Sequence, residues 1–303
     1  MSDLELKALM TTLSFSADAQ QTFLNALARI QADKTAAAWF DCLLKQYNET
    51  EDCNYKQMLA DVTAMGAVLG IHEYTITMLL YLCMADKLKE RYTEQGIDDS
   101  IFFNTMSDLR YKSEECRFVH GIDGFFASMW FAGFFRMSRF ALNRLQFEIV
   151  TTTNALTADG ITVPAGTKAI NIHIPRTGGK LDHDEVLKSY QMAADWFAPQ
   201  FENQPIIFIC TTWLLDPWNM TVLSPTSNLA AFYNDFRIIK TGTYPDYNQA
   251  WRLFDCKYTG NPADLPRNSS LRRAYAERIE RGEPMGWATG IFVYHDGQVS
   301  QTL

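Results

Sequence analysis

Residues 168–197, KAINIHIPRTGGKLDHDEVLKSYQMAADWF, read as a strand, a glycine-bearing loop and a capped amphipathic helix. Lys168 to Ile174 alternate strictly. Ile170, Ile172 and Ile174 fall on one face and Ala169, Asn171 and His173 on the other, the pattern of a half-buried strand. Gly178 and Gly179 then permit backbone angles that other residues avoid, and Asp182 followed three positions later by Glu185 spells a helix start. A strand leading through a glycine turn into a helix N-terminus outlines an anion cradle, because unpaired helix amides and the helix dipole both favour negative charge. The acids Asp182, Asp184 and Glu185 work against it by satisfying the same amides themselves. The loop is therefore open to two readings, a cradle or only a sharp turn.

Working outward from this unit, the rest of the chain divides in two. Immediately upstream, RLQFEIVTTT (144–153) alternates with period two, and TADGITVPAG (157–166) predicts a small hairpin turning at Asp159 and Gly160. Downstream come a strand IIFICTTW, a short helix after Pro225, a strand FRIIKTG, a helix from Ser269 to Arg281 and a strand ATGIFVYH. Strands and helices that alternate after an antiparallel start predict a mixed sheet covered by helices.

Before Asn143 nearly every segment has helical period. Examples are Phe23, Leu24, Leu27 and Ile30, then Trp39, Phe40, Leu43, Leu44 and Tyr47. Further helices are predicted over Met58 to Leu69, Tyr74 to Tyr92, Ile101 to Tyr111 and Ile122 to Leu142, and the first proline is Pro164. The expected fold class is α+β: an all-helical N-terminal domain over 1–143, then a mixed α/β domain over 144–303.

Composition narrows the function classes. Hydrophobic content of 47% and charged content of 20% belong to a folded chain, and a net charge of −8 argues against a nucleic-acid binder. The N-terminal MSDLELKALM does not resemble a secretory signal, so a cytoplasmic location is expected. The longest apolar run, Phe125 to Phe135, is about half of what a membrane span requires, and we expect no membrane association. Six scattered cysteines without a C-x-x-C pair suit reduced thiols and give no metal site.

Chemistry concentrates on the strand faces. If RLQFEI and KAINIHI are neighbours, Arg144, Gln146 and Glu148 share a face with Asn171 and His173. Either Glu148 or His173 serves there as a general base, its acidity tuned by the other, or the five form a hydrogen-bonded sheet face with no catalytic role. Asp216, at a strand's carboxyl end, stands where open sheets hold ligands, or else it is a turn residue set by Pro217. Cys210, among strand isoleucines, reads as an inert core thiol. The aromatic run Phe125, Phe126, Trp130, Phe131, Phe134 and Phe135 is core packing or in part an acyl or acceptor pocket.

The order of elements after residue 143 resembles the GNAT-type acyltransferases. More closely, FRMSRFALNRLQFEI, VPAGTKAINIHIP, TTWLLDP, SPTSN and LPRNSSLRRA resemble a group of bacterial two-domain acyltransferases with a helical N-terminal and a GNAT-like C-terminal domain. The resemblance implies acyl transfer from acyl-coenzyme A to an amine of a small-molecule or peptide acceptor. It implies that pantetheine lies along Ile172 and Ile174, and that an R/Q-x-x-G-x-G/A loop holds the pyrophosphate. Arg176 and Gly179 match that loop, with Gly178 and Lys180 beside them, while Leu181 replaces the final small residue.

Asn228, Ala231 and Tyr233 are similar to a shortened form of the family's N-x-x-A pattern, which implies that Tyr233 reprotonates the departing thiolate. Glu148 or His173 would be the base, and Arg144, Gln146, Asn171 and Asp216 would meet the acceptor. The competing expectation is a noncatalytic GNAT-like binding or regulatory module that has lost the cofactor, which Leu181 and the acidic helix start favour.

Overall fold

A computed structural model describes residues 2–158, 161–202, 205–295 and 297–300. The chain forms two compact units, Met1–Phe140 and Ala141–Leu303. The first is helical: α1 (Asp3–Thr12), α2 (Ala17–Ala32), α3 (Lys34–Glu49), α4 (Tyr55–Leu69), α5 (Glu73–Glu94) and α6 (Asp99–His120). Ser2, Ser16, Asp33, Asn54, His72 and Asp98 cap their starts by accepting orphan backbone amides. Helix α5 is buried through most of its length because α2, α3, α4 and α6 pack around it. No helix among the described residues is long and apolar enough to cross a membrane.

The helix expected over Ile122 to Leu142 does not form. Helix α6 stops at Gly121, which takes a left-handed φ of 72°. Gly124 then lies so close to the Tyr74 backbone that a Cβ there would overlap it, and the Phe125 amide donates to the Tyr74 carbonyl at 3.0 Å. The aromatic run that follows breaks into a 3₁₀ turn, Ser128–Phe131, and a single helical turn, α7 (Ala132–Phe135). Phe125, Phe131, Phe134 and Phe135 are all buried, the first two with ring centroids 4.5 Å apart. Apolar side chains on every side of a segment give a straight helix no solvent face, and the irregular path lets these four rings reach the core.

The second unit is built on a sheet. Its strands are β1 (Arg139–Leu142), in which the boundary between units falls, β2 (Leu145–Thr151), β5 (Lys168–His173), β6 (Ile206–Thr212), β7 (Arg237–Thr243), β8 (Gly286–His295) and β9 (Gln298–Ser300). The order is β1-β2-β5-β6-β8-β7, with β9 on β8, while β3 (Leu156–Ala158) and β4 (Ile161–Val163) pair separately. The turn expected at Asp159 and Gly160 lies outside the described residues. Only β5 and β6 pair in parallel among the registers described; the others are antiparallel.

Helix α8 (His183–Phe197) buries Val186, Tyr190, Ala193 and Phe197, a stripe at helical spacing. Tyr190 packs on Phe208 and Phe292, which stack 4.8 Å apart, and Phe147 meets Phe208 edge-on. This aromatic layer is the core of one sheet face. Beyond β6 lie α9 (Asn219–Val222), α10 (Asn228–Asn234), α11 (Trp251–Phe254) and α12 (Ser270–Glu280); the last two form a further apolar cluster with Leu265 and Met285.

Candidate active site

Strand register brings the polar side chains together. Gln146 pairs with His173 and Glu148 with Asn171, so all four project from the face opposite α8. His173 Nε2 and Glu148 Oε1 are 2.7 Å apart, and Asn171 Nδ2 lies 3.1 Å from that ring nitrogen and donates to the same carboxylate oxygen at 3.4 Å. Because a carboxylate only accepts, this contact places a hydrogen on Nε2, and in a neutral ring the basic nitrogen is then Nδ1. The two side chains remain 20% and 19% exposed, enough for a solute to reach them. On the same face farther across the sheet, Thr211 and Thr289 share a hydrogen bond of 2.8 Å.

Next to this dyad the pairing between β5 and β6 is short. The parallel register between β5 and β6 comprises Ile170 with Phe208 and Asn171 with Ile209, and it ends there. Past that point the Ile172 carbonyl accepts the Cys210 thiol at 3.5 Å, a weak bond where a strand partner would supply a strong one. Ile172 is buried against the α8 side and Ile174, past the end of β5, is half-buried. The Cys210 thiol is fully buried and its pKa is pushed far up by desolvation, which makes it inert as a nucleophile.

The other residues singled out from sequence lie elsewhere. Arg144 precedes β2 and acts as a brace: its guanidinium donates to the Pro175 carbonyl at 3.0 Å and to the Lys180 carbonyl at 3.3 Å, and its amide donates to Ser189 Oγ. That holds the two ends of the glycine loop. Within the loop Gly178 takes φ 73°, Gly178, Gly179 and Lys180 are exposed, and Arg176 pairs with Asp255 at 2.6 Å. Asp255 also pairs with Arg272. Asp182 Oδ1 accepts the amides of Asp184 and Glu185, so the first turn of α8 is capped from within the chain.

Asp216 is 7% exposed and pairs with buried Arg278 at 2.7 Å, and a Cβ on Gly286 would overlap its carboxylate. It belongs to the packing between β8 and α12, apart from the dyad by sheet position. Tyr233, on α10, is half-buried; desolvation first, then the Asp216 charge, raises its phenol above the usual range and keeps it protonated.

One network escaped the sequence. His183 Nε2 stands 2.9 Å from Asp235 Oδ1, and Tyr190 donates to Asp235 Oδ2 at 3.2 Å, tying α8 to the end of α10. His183 read there only as part of an acidic helix start, and a partner 52 residues away leaves no local spacing to detect. Among the described residues no cluster of three metal-ligating side chains occurs.

Comparison with known proteins places this geometry. The profile of a GNAT-like C-terminal domain matches residues 140–292, and that of an N-acyltransferase N-terminal domain matches residues 4–137. Among solved structures, an acyltransferase in complex with decanoyl-CoA and teicoplanin superposes with a TM-score of 0.71 at 19% identity, over 95% of this chain and 87% of that one. An acyltransferase mutant in complex with octanoyl-CoA gives 0.72 at 19%, over the same shares. A third, with decanoyl-CoA, gives 0.71 at 20% over 94% and 86%. Identity at this level establishes the fold. No curated protein matches the chain in sequence. A helical unit and a sheet unit, each covered by its own family profile, place this chain in the N-acyltransferase family with a GNAT-like C-terminal domain.

Proposed function

We propose that the protein transfers an acyl group from acyl-coenzyme A to an amine of a small-molecule or peptide acceptor, with His173 as general base. The observation that carries this reading is the end of the β5–β6 pairing beside the His173–Glu148 pair. The strand residues past that pairing would meet the amides of pantetheine, and the structural neighbours bind decanoyl-CoA and octanoyl-CoA. One of them also holds teicoplanin, a glycopeptide, which fits an amine on a peptide-like or sugar-bearing acceptor.

Acyl-coenzyme A supplies an activated thioester carbonyl. Glu148 fixes the imidazole tautomer and stabilises the imidazolium, while Nδ1 of His173 removes a proton from the attacking amine. Tyr233, held protonated, returns a proton to the departing sulfur. Arg176, Gly178, Gly179 and Lys180 border the phosphates. Because Asp182 caps α8, phosphate affinity comes from side-chain charge, with Arg176 exchanging Asp255 for the ligand. The six free cysteines and the absence of a membrane-crossing helix among the described residues suit a cytoplasmic enzyme.

Thiol release from decanoyl-coenzyme A, assayed against amino sugars, peptides and polyamines, tests the reading. His173→Ala is expected to lower turnover by about 10²–10⁴, and Glu148→Gln by a comparable factor, with acyl-coenzyme A affinity retained. Unchanged turnover in both variants would remove the dyad from the mechanism, and absence of turnover in the wild type with every acceptor would return the noncatalytic module to first place.

A further inference from the structure

The glycine loop meets α12 through one carboxylate. Asp255 Oδ1 accepts from Arg176 at 2.6 Å, and Asp255 Oδ2 accepts from Nη2 of Arg272. Two guanidinium groups from distant segments are thereby brought within reach of a single small anion. Arg272 is set by other bonds as well: its Nε donates to the Leu253 carbonyl at 2.8 Å and its Nη1 to Asn268 Oδ1 at 3.0 Å, so its fork keeps its place without Asp255. Arg176, Asp255 and Arg272 are 34%, 27% and 18% exposed, which leaves the pair open to a solute. One carboxylate between two guanidinium groups leaves positive charge in excess. The first turn of α12 carries no acid, in contrast to the start of α8 with Asp184 and Glu185.

We propose that Arg176 and Arg272 together form a phosphate clamp for acyl-coenzyme A, which Asp255 occupies in the free protein and yields to a ligand phosphate; this rests on the acyl-transfer reading above. A phosphate offers the same paired acceptor oxygens as a carboxylate, so planar guanidinium forks that hold one accept the other. The exchange replaces two ion pairs to Asp255 by two to the ligand, and the displaced carboxylate is hydrated. Partly exposed ion pairs are weak, so Asp255 lowers affinity without blocking entry. Phosphate recognition is drawn from α12 and the loop, while the first amides of α8 stay capped by Asp182. A purely structural tie between loop and helix makes the opposite forecast: loosening it would release the loop and weaken ligand binding.

The sign of one substitution separates the two. Asp255 takes φ 58°, a conformation that asparagine also tolerates, so Asp255→Asn removes the charge and keeps the backbone. Calorimetry on the full-length protein is expected to show decanoyl-coenzyme A binding about three- to tenfold tighter to Asp255→Asn than to wild type, with no gain for S-decanoyl-pantetheine, which lacks the phosphates. Arg272→Gln should weaken decanoyl-coenzyme A by about tenfold. The same loss with decanoyl-dephospho-coenzyme A assigns the clamp to the pyrophosphate, and a loss confined to the full cofactor assigns it to the 3′-phosphate. Equal or weaker binding of decanoyl-coenzyme A by Asp255→Asn overturns the inference, as does a gain shared by the pantetheine ligand or an undiminished affinity in Arg272→Gln. No binding of decanoyl-coenzyme A to either wild type or Asp255→Asn overturns the coenzyme A reading, and this inference falls with it.

Discussion

At the scale of single residues, two histidine–carboxylate pairs share one sheet unit and differ in setting. His173 and Glu148 stand on a face open to solute, whereas His183 meets an aspartate with a side chain only 9% exposed. Burial raises the pKa of Asp235 above the ordinary 3.8 even though His183 and Tyr190 both act to lower it. A carboxyl whose folded pKa exceeds its unfolded value stabilises the fold fully below the unfolded value and loses that contribution as pH rises through the folded one. Asp235→Asn cannot ionise. Its stability relative to wild type should therefore improve as pH climbs from 3.8 through the raised value, as read by urea melts across that range. Parallel stability curves for the two proteins would show that Asp235 does not titrate in this way.

At the scale of elements, what the sequence made legible was periodic. The strand, loop and helix of 168–197 were read nearly to the residue because isoleucine alternation, paired glycines and an Asp182 cap each act over a few positions. The shared face of Gln146, Glu148, Asn171 and His173 followed from period two once β2 and β5 were taken as neighbours. Strand β1 was not visible: it has four residues, and left-handed Met137 and Asn143 bracket it without a glycine or proline to mark the turns. The aromatic run after α6 was misread as helix because its breaker is the backbone contact of Gly124 with Tyr74, made across 50 residues of chain. Likewise the bracing role of Arg144 and the burial of Asp216 depend on partners that only tertiary folding supplies.

The short pairing of β5 with β6 is also a tertiary property, and it carries a prediction of its own. Strand amides past Asn171 and Ile209 should exchange hydrogen quickly in the free protein and slow when decanoyl-coenzyme A is added, while the β2–β5 and β6–β8 ladders stay unchanged. Mass-spectrometric exchange reads this peptide by peptide. Protection confined to the helical unit would put the ligand elsewhere.

At the scale of the molecule, the two units match two family profiles in the order those domains are named, N-terminal then C-terminal, and the account rests on one claim: the sheet unit receives acyl-coenzyme A. The noncatalytic alternative predicts the same fold with no such ligand, so fold comparison cannot separate them and binding can. Calorimetric titration with decanoyl-coenzyme A, repeated with acetyl-coenzyme A and coenzyme A, is the most direct measurement. The account predicts saturable one-to-one binding, accompanied at a hundredfold excess over the dissociation constant by about 2.7 kcal/mol of added stability. Absence of heat and of any stabilisation across all three ligands would contradict it.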